Sequence, residues 1–159
     1  MRRHDREVLD FKIIQRWFDD FEVCRLGFID EDVAYIVPLN FGVSFEPQFE
    51  LYFHSAQEGK KIELMLKNPR VSFELDGRHE LIQADRACNV SMAYVSVMGI
   101  GTLSALTDRE SKRQALLKLM AHATQRSEWS FSDASLDRVF VYKLIVESYS
   151  AKQHIQKGS

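Results

Sequence analysis

A chain of 159 residues that is 45% hydrophobic and 28% charged has the length and composition of one globular domain with its own core, spanning 1–159. Its formal net charge of −2 leaves no electrostatic footprint for non-specific nucleic-acid binding. No apolar run approaches the ~20 residues of a membrane span, the opening MRRHDREVLDF lacks the apolar stretch of a secretory signal, and Cys24 and Cys88 form neither a metal-ligand spacing nor a disulfide framework, so the expectation is a cytoplasmic protein with free thiols and no metal.

Residues 8–21 place Phe11, Ile14, Trp17, Phe18 and Phe21 on one helical face, which predicts a first helix with Trp17 and Phe18 in the core. The short apolar run 23–29, the polar turn Asp30-Glu31-Asp32 and the run 33–41 predict a hairpin. Pro38 assigns the second strand of that pair to an edge, a strand end or a bulge. Pro38-Leu39-Asn40 is then either a place where backbone groups are freed to meet a ligand or, with Gly42, an ordinary turn.

Phe49, Leu51 and Phe53 alternate with Glu50, Tyr52 and His54, the pattern of a half-buried strand. Ser55 stands three residues before Glu58, the spacing of a capping box, which predicts a helix opening at Ser55. Ile62, Met65 and Leu66 supply its apolar face, and Asn68-Pro69 ends it. A helix start presents free N–H groups and the positive end of the macrodipole. With Lys60, Lys61, Ser55 and His54 around it, this start reads as a phosphate pocket or as a capped surface helix with solvated lysines.

Val71, Phe73 and Leu75 alternate with Ser72, Glu74 and Asp76, a strand that Asp76-Gly77 is expected to end before a polar loop over 78–87. Residues 92–103 form a long alternating segment whose Gly99 and Gly101 mark a bulge, a bend or a close approach of another backbone, with the length favouring a bend. Thr107 and Glu110 repeat the capping-box spacing, predicting a helix to about Arg126 that buries Ala115, Leu116, Leu119, Met120 and Ala123. A polar loop carrying Trp129 and Phe131 follows, then a last strand over 139–147 and a frayed tail over 152–159. The tally is about six strands and three helices, in a mainly β, α+β class. Alternation favours an antiparallel sheet, and bent glycine strands favour closure into a small barrel.

Three stretches, CRLGFIDEDVAYIVPLNFG, LYFHSAQEGKKIELMLKNP and CNVSMAYVSVMGIGT, followed by the helix opening at Thr107, occur in an order and spacing that resembles a known family. It is the FMN-binding split-barrel family related to pyridoxamine 5′-phosphate oxidase, and the likeness is greatest to its nitroimidazole-resistance branch. The resemblance implies a six-stranded antiparallel split β-barrel and a homodimer that binds two FMN at the subunit interface. It puts the backbone of Pro38, Leu39, Asn40 and Phe41 against the isoalloxazine, and His54, Ser55, Lys60 and Lys61 around the ribityl phosphate. The oxidases carry a serine where this chain has Gly59, and a C-terminal Arg-Leu-x-Pro signature that SAKQHIQKGS lacks, so vitamin B6 oxidation is not expected. What the resemblance implies is an FMN-dependent oxidoreductase passing electrons from a nicotinamide-type donor to a small acceptor such as a nitroaromatic. The alternative is a flavin or haem sensor or carrier on the same scaffold, with His54 or His122 as the axial ligand in the haem case. His54 is the candidate catalytic residue, because imidazole titrates near physiological pH, against a purely structural role beside the helix start.

Overall fold

The alternating segments become seven strands: β1 (Cys24–Asp30), β2 (Val33–Leu39), β3 (Gly42–Ser44), β4 (Glu50–Ser55), β5 (Arg70–Ile82), β6 (Ser91–Leu106) and β7 (Phe140–His154). Four α-helices accompany them: α1 (Phe11–Trp17), α2 (Lys60–Lys67), α3 (Arg109–Thr124) and α4 (Asp133–Arg138). The computed structural model describes residues 3–155 apart from 125 and 127. All strands belong to one sheet, ordered β2-β1-β5-β6-β7-β4-β3, in which every pairing is antiparallel.

The sheet therefore has seven strands rather than six, and it is not closed: β2 and β3 are free edges. The extra strand arises where the run 33–41 breaks. Phe41 turns its side chain fully into the core, and Gly42 lies so close to α3 that a Cβ there would sit 2.6 Å from the Leu119 amide nitrogen. The chain thus leaves the β1–β2 hairpin at Leu39 and starts β3 on the opposite edge. Pro38 lies on an edge strand, where its missing N–H leaves no gap in the ladder.

Although open, the sheet is rolled around one core. Leu26 and Phe28 from β1, Leu51 and Phe53 from β4, Phe73 and Leu75 from β5, Val95 and Val97 from β6 and Leu144 from β7 meet in a single cluster. Helix α1 plugs it with Ile14 and Trp17, and Phe18 and Phe21 follow from the turn beyond. Trp17 and Phe18 are core residues as expected, but the helix ends at Trp17. Outside the roll, Ala115, Leu116 and Leu119 of α3 pack with Leu136 of α4 and Val141 of β7.

Several boundaries differ from expectation for local reasons. Ser55 is the last residue of β4, held extended by pairing with Phe140, and its hydroxyl donates to the Ala56 carbonyl oxygen (2.8 Å). Helix α2 instead begins at Lys60 with Gly59 as its cap, so the Ser55–Glu58 capping box does not form. Leu64, not Leu66, is buried on that helix, and Leu66 is 72% exposed. At α3 the cap is Asp108, whose Oδ1 accepts the Ser111 N–H (2.8 Å), and Ala123 and Met120 lie outside the fully buried stripe. Strand β5 passes Gly77 through a bulge to Ile82, and β7 runs on to His154 where a tail was expected. Helix α4 occupies the supposed polar loop, capped by Ser132, whose Oγ accepts the Ser135 N–H (3.2 Å).

Gly99 and Gly101 serve close approach and irregularity together. The β6–β7 register shifts between Ile100 and Gly101, and a Cβ at Gly101 would overlap the Ile145 carbonyl oxygen. Gly101→Ala should therefore destabilise the fold by about 1–3 kcal/mol, the usual range for overpacking. Gly27→Ala, whose nearest neighbour would lie 3.8 Å away, should be close to neutral. Urea denaturation reads both, and equal midpoints would show that the β6–β7 contact tolerates a side chain.

Candidate functional site

The end of β4, residues 56–59 and the first turn of α2 form one corner of the molecule. Gln57 anchors the connection by donating to the Asp137 carbonyl oxygen (2.6 Å) at the end of α4. Gly59 has φ +130°, a conformation that L side chains rarely adopt, with open space where a Cβ would stand. The N–H groups of Ile62 and Glu63 both donate to the Gly59 carbonyl oxygen, at 2.9 and 3.2 Å. The Lys60 and Lys61 amides precede these bonds and belong to the donors that a helix leaves open at its start.

The two lysines diverge. Lys60 forms an ion pair with Asp30 at the end of β1, and its ammonium lies 5.1 Å from the centre of the Tyr35 ring on β2. The hydrogen bond to Asp30 holds its pKa above the ordinary lysine value. Lys61 is half-buried and forms no ion pair among the described residues. Its charge acts on His54, whose pKa is lowered first by partial burial of the ring and second by Lys61. His54 lies on the outer face of β4, opposite the buried Phe53, and is paired in register with Val141. The imidazole is accordingly neutral at physiological pH.

Along the same face runs a polar network that sequence reasoning missed. The Tyr52 hydroxyl donates to Glu50 Oε2 (2.5 Å), Lys143 donates to Glu50 Oε1 (2.7 Å), and Lys118 donates to the Ser44 hydroxyl oxygen (3.2 Å). Burial pushes the Glu50 carboxyl up, but the bonds from Lys143 and Tyr52 outweigh it and hold it below its ordinary value. The alternation of Glu50, Tyr52 and His54 was a visible signal of a shared polar face; their partners on α3 and β7 were not.

The other candidates lie along the end of β2. Pro38 and Asn40 are exposed, Leu39 packs on the core, and Phe41 is fully buried, 6.1 Å from Phe18 and 4.2 Å from His122 between ring centres. Asn40 is tied down by donating to the Glu22 carbonyl oxygen (3.3 Å). Phe41 therefore offers a ligand no surface, while Pro38 and Asn40 stay exposed at this edge. Pro38 is three residues beyond Tyr35, roughly 10 Å along the strand, so the Lys60–Tyr35 contact links α2 to this edge. His122 Nε2 is committed to the Phe18 carbonyl oxygen (2.9 Å), a packing arrangement that removes this nitrogen as an axial ligand. Cys24 is buried, and burial pushes its thiol well above the ordinary range, so it is an inert packing group.

The lowered His54 pKa has a sign that can be checked. The unfolded chain takes up its proton near the ordinary value of about 6.5, before the folded one does, so stability falls as pH drops through that value and the loss is complete below the folded pKa. An NMR titration should place the His54 midpoint below about 6.5. Lys61→Ala should raise it without restoring it fully, because ring burial remains. A midpoint unmoved by Lys61→Ala would remove the lysine as a cause.

Among the described residues no helix is long and apolar enough to cross a membrane. The family model for pyridoxamine 5′-phosphate oxidase matches residues 12–153. No curated protein matches the sequence. Among solved structures, a candidate 5-nitroimidazole antibiotic resistance protein from Bacteroides thetaiotaomicron is 32% identical, over 92% of this chain and 86% of that one, with a TM-score of 0.80. An FAD-binding protein from Mesorhizobium loti is 25% identical, over 92% and 96% of the two chains, with a TM-score of 0.64. The flavocytochrome Anf3 from Azotobacter vinelandii shares the fold at 18% identity, over 98% and 72%, with a TM-score of 0.80. With most of its length matched in sequence and in fold, the chain belongs to the pyridoxamine 5′-phosphate oxidase family.

Proposed function

We propose that the protein is a cytoplasmic flavoprotein oxidoreductase that binds FMN as a homodimer and passes electrons from a nicotinamide-type donor to a small acceptor such as a nitroaromatic. The observation that carries this reading is Lys61: a half-buried lysine that forms no ion pair among the described residues, at a helix start opened by Gly59. An ammonium without an ion-pair partner can be met by an anion from outside, and the adjoining amides and helix dipole favour the same ligand. That donor set fits a ribityl phosphate. Gly59 brings no hydroxyl, and the Ser55 hydroxyl already donates to Ala56, so Lys61 and the amides of the first turn carry most of the phosphate binding. Lys60 contributes less, its charge being engaged by Asp30.

The end of β2 supplies the surface for the flavin ring, since an edge strand leaves one row of backbone groups without ladder partners. Bound FMN supplies hydride and electron transfer, chemistry that belongs to the cofactor. His54 holds a proton at a ring nitrogen beside this corner and, being neutral, can both give and take one. The likeness to the Mesorhizobium loti FAD-binding protein supports a flavin, and that to the Bacteroides protein supports a nitroaromatic acceptor. Met98, Ile100 and Tyr149 are exposed on β6 and β7 and offer apolar area for a second copy to cover.

Fluorescence titration with FMN tests the binding half. Lys61→Ala should weaken affinity ten- to hundredfold, about 1.5–3 kcal/mol for a charged hydrogen bond, whereas Lys60→Ala should change it less than about threefold. Equal losses, or none, would move the phosphate elsewhere. Stopped-flow reoxidation of the reduced protein by a nitroaromatic, from about pH 5 to about pH 9, tests the chemical half. His54→Ala should retain flavin and slow the reaction by about 10²-fold or more, flattening the profile near the imidazole pKa. Coinciding rate–pH curves would take His54 out of proton transfer, and bound flavin without turnover would make the protein a carrier.

A further inference from the structure

A hollow lies at the far end of the sheet, bordered by the 3₁₀ turns His4–Arg6 and Ala87–Asn89 and by the end of β7. Its volume is about 480 Å³, within the range of small-molecule sites, and its walls include Arg3, Arg6, Ile82, Asn89, Ser91 and His154. Strand β7 pairs with His54 at Val141 and with Tyr94 at His154, so this hollow and the Lys61 corner stand at opposite ends of one strand and share no residue.

Its cations are not equivalent. Arg3 is satisfied, donating from Nε and Nη2 to the two oxygens of Asp5 at 2.8 and 2.6 Å, so the Asp5 carboxylate that also lines the hollow is already engaged. Arg6 forms no ion pair among the described residues, although its charge also acts on the Asp5 carboxylate. Its Nη1 donates to the Tyr94 hydroxyl oxygen (3.3 Å), and its guanidinium carbon lies 5.9 Å from the centre of that ring. Its Nε is buried and makes no hydrogen bond. A guanidinium without an ion-pair partner matches the oxygens of a carboxylate or phosphate through its outer nitrogens, the buried Nε taking no part unless the side chain turns. His154 Nδ1 is 2.8 Å from the Met92 carbonyl oxygen and donates to it, which fixes the ring and leaves Nε2 as its remaining polar edge. Asn89 and Ser91 add an amide and a hydroxyl, and Ile82 and Ile155 an apolar wall.

We propose that this hollow is a binding site for a small organic anion, a carboxylate or a phosphate ester, with Arg6 as its principal contact and the isoleucines against the ligand's apolar body. The site is independent of the flavin reading, because neither Arg6 nor its neighbours take part in the corner at Lys61.

Amide NMR titration of the full chain with inorganic phosphate, and separately with benzoate, at constant ionic strength tests it. At least one anion should produce saturating shifts at Asn89, Ser91, Gln153 and His154. Saturation by benzoate alone assigns the site to carboxylates, and by phosphate alone to phosphate esters. Arg6→Gln should raise the midpoint about tenfold or more, with Arg6→Lys, which keeps the charge and loses the fork, falling between. Lys61→Ala should leave these shifts unchanged. If Arg6→Gln does not fold, Arg6→Lys alone carries the comparison. Shifts that never saturate, saturation confined to residues 55–61, or unchanged midpoints in the folded Arg6 variants would each overturn the proposal.

Discussion

A rolled sheet that is not closed by hydrogen bonds has to be held by side chains, and here that task falls to phenylalanine. Phe18 lies at the hub, with ring centres 5.3 Å from Phe21, 6.1 Å from Phe41, 5.2 Å from Phe45 and 5.5 Å from Phe49, all edge-to-face. Such contacts contribute about 0.5–1.5 kcal/mol each beyond the apolar area they bury. They join the turn after α1 to the chain on both sides of β3, the edge that closure would otherwise have paired. The candidate site inherits its shape from this packing. Because Phe41 must enter the core, the chain leaves β2 at Leu39, and Pro38 and Asn40 are left on the surface.

The antiparallel sheet was legible because period-two alternation is a local property of the chain. It marked β4, the start of β5 and most of β6, and it put Phe53 inside and His54 outside. The closed six-stranded barrel that alternation and bent glycine strands led us to expect is not what forms, because closure is not a local property. Closure depends on whether the two edges meet, and Gly42 pressed against α3 decides that only in three dimensions. The ends of β5 and β7 failed for another reason. Residues 78–82 and 148–154 are mixed in character and, apart from Ala151, at least partly solvated, so ladder pairing with β6 more than burial makes them strands.

At the site, sequence gathered His54, Lys60 and Lys61 into one neighbourhood through their adjacency in the chain. It assigned the helix start to Ser55 because the capping-box spacing was present, yet pairing of Ser55 with Phe140 outweighs a cap worth about 1 kcal/mol. The pairing of Lys60 with Asp30 and of Glu50 with Lys143 spans distances along the chain that no local pattern encodes. Arg6 likewise stood out in no motif, and only the juxtaposition of residues 3–6 and 153–155 with Asn89 and Ser91 gives it a setting.

The Asp30–Lys60 pair also fixes the electrostatic valence of the corner. Two adjacent lysines suggest a doubly positive site, but one charge is compensated from the neighbouring hairpin, and the lysine that lowers the His54 pKa is Lys61. An anion seated there, as proposed, would meet one cation without an ion-pair partner among the described residues, together with amide dipoles whose influence fades within a helical turn. Long-range attraction is therefore weak, and salt screens only one charge. On the proposed reading, selection among phosphorylated ligands at such a corner would rest on shape and hydrogen-bond direction, with net charge contributing little to the choice.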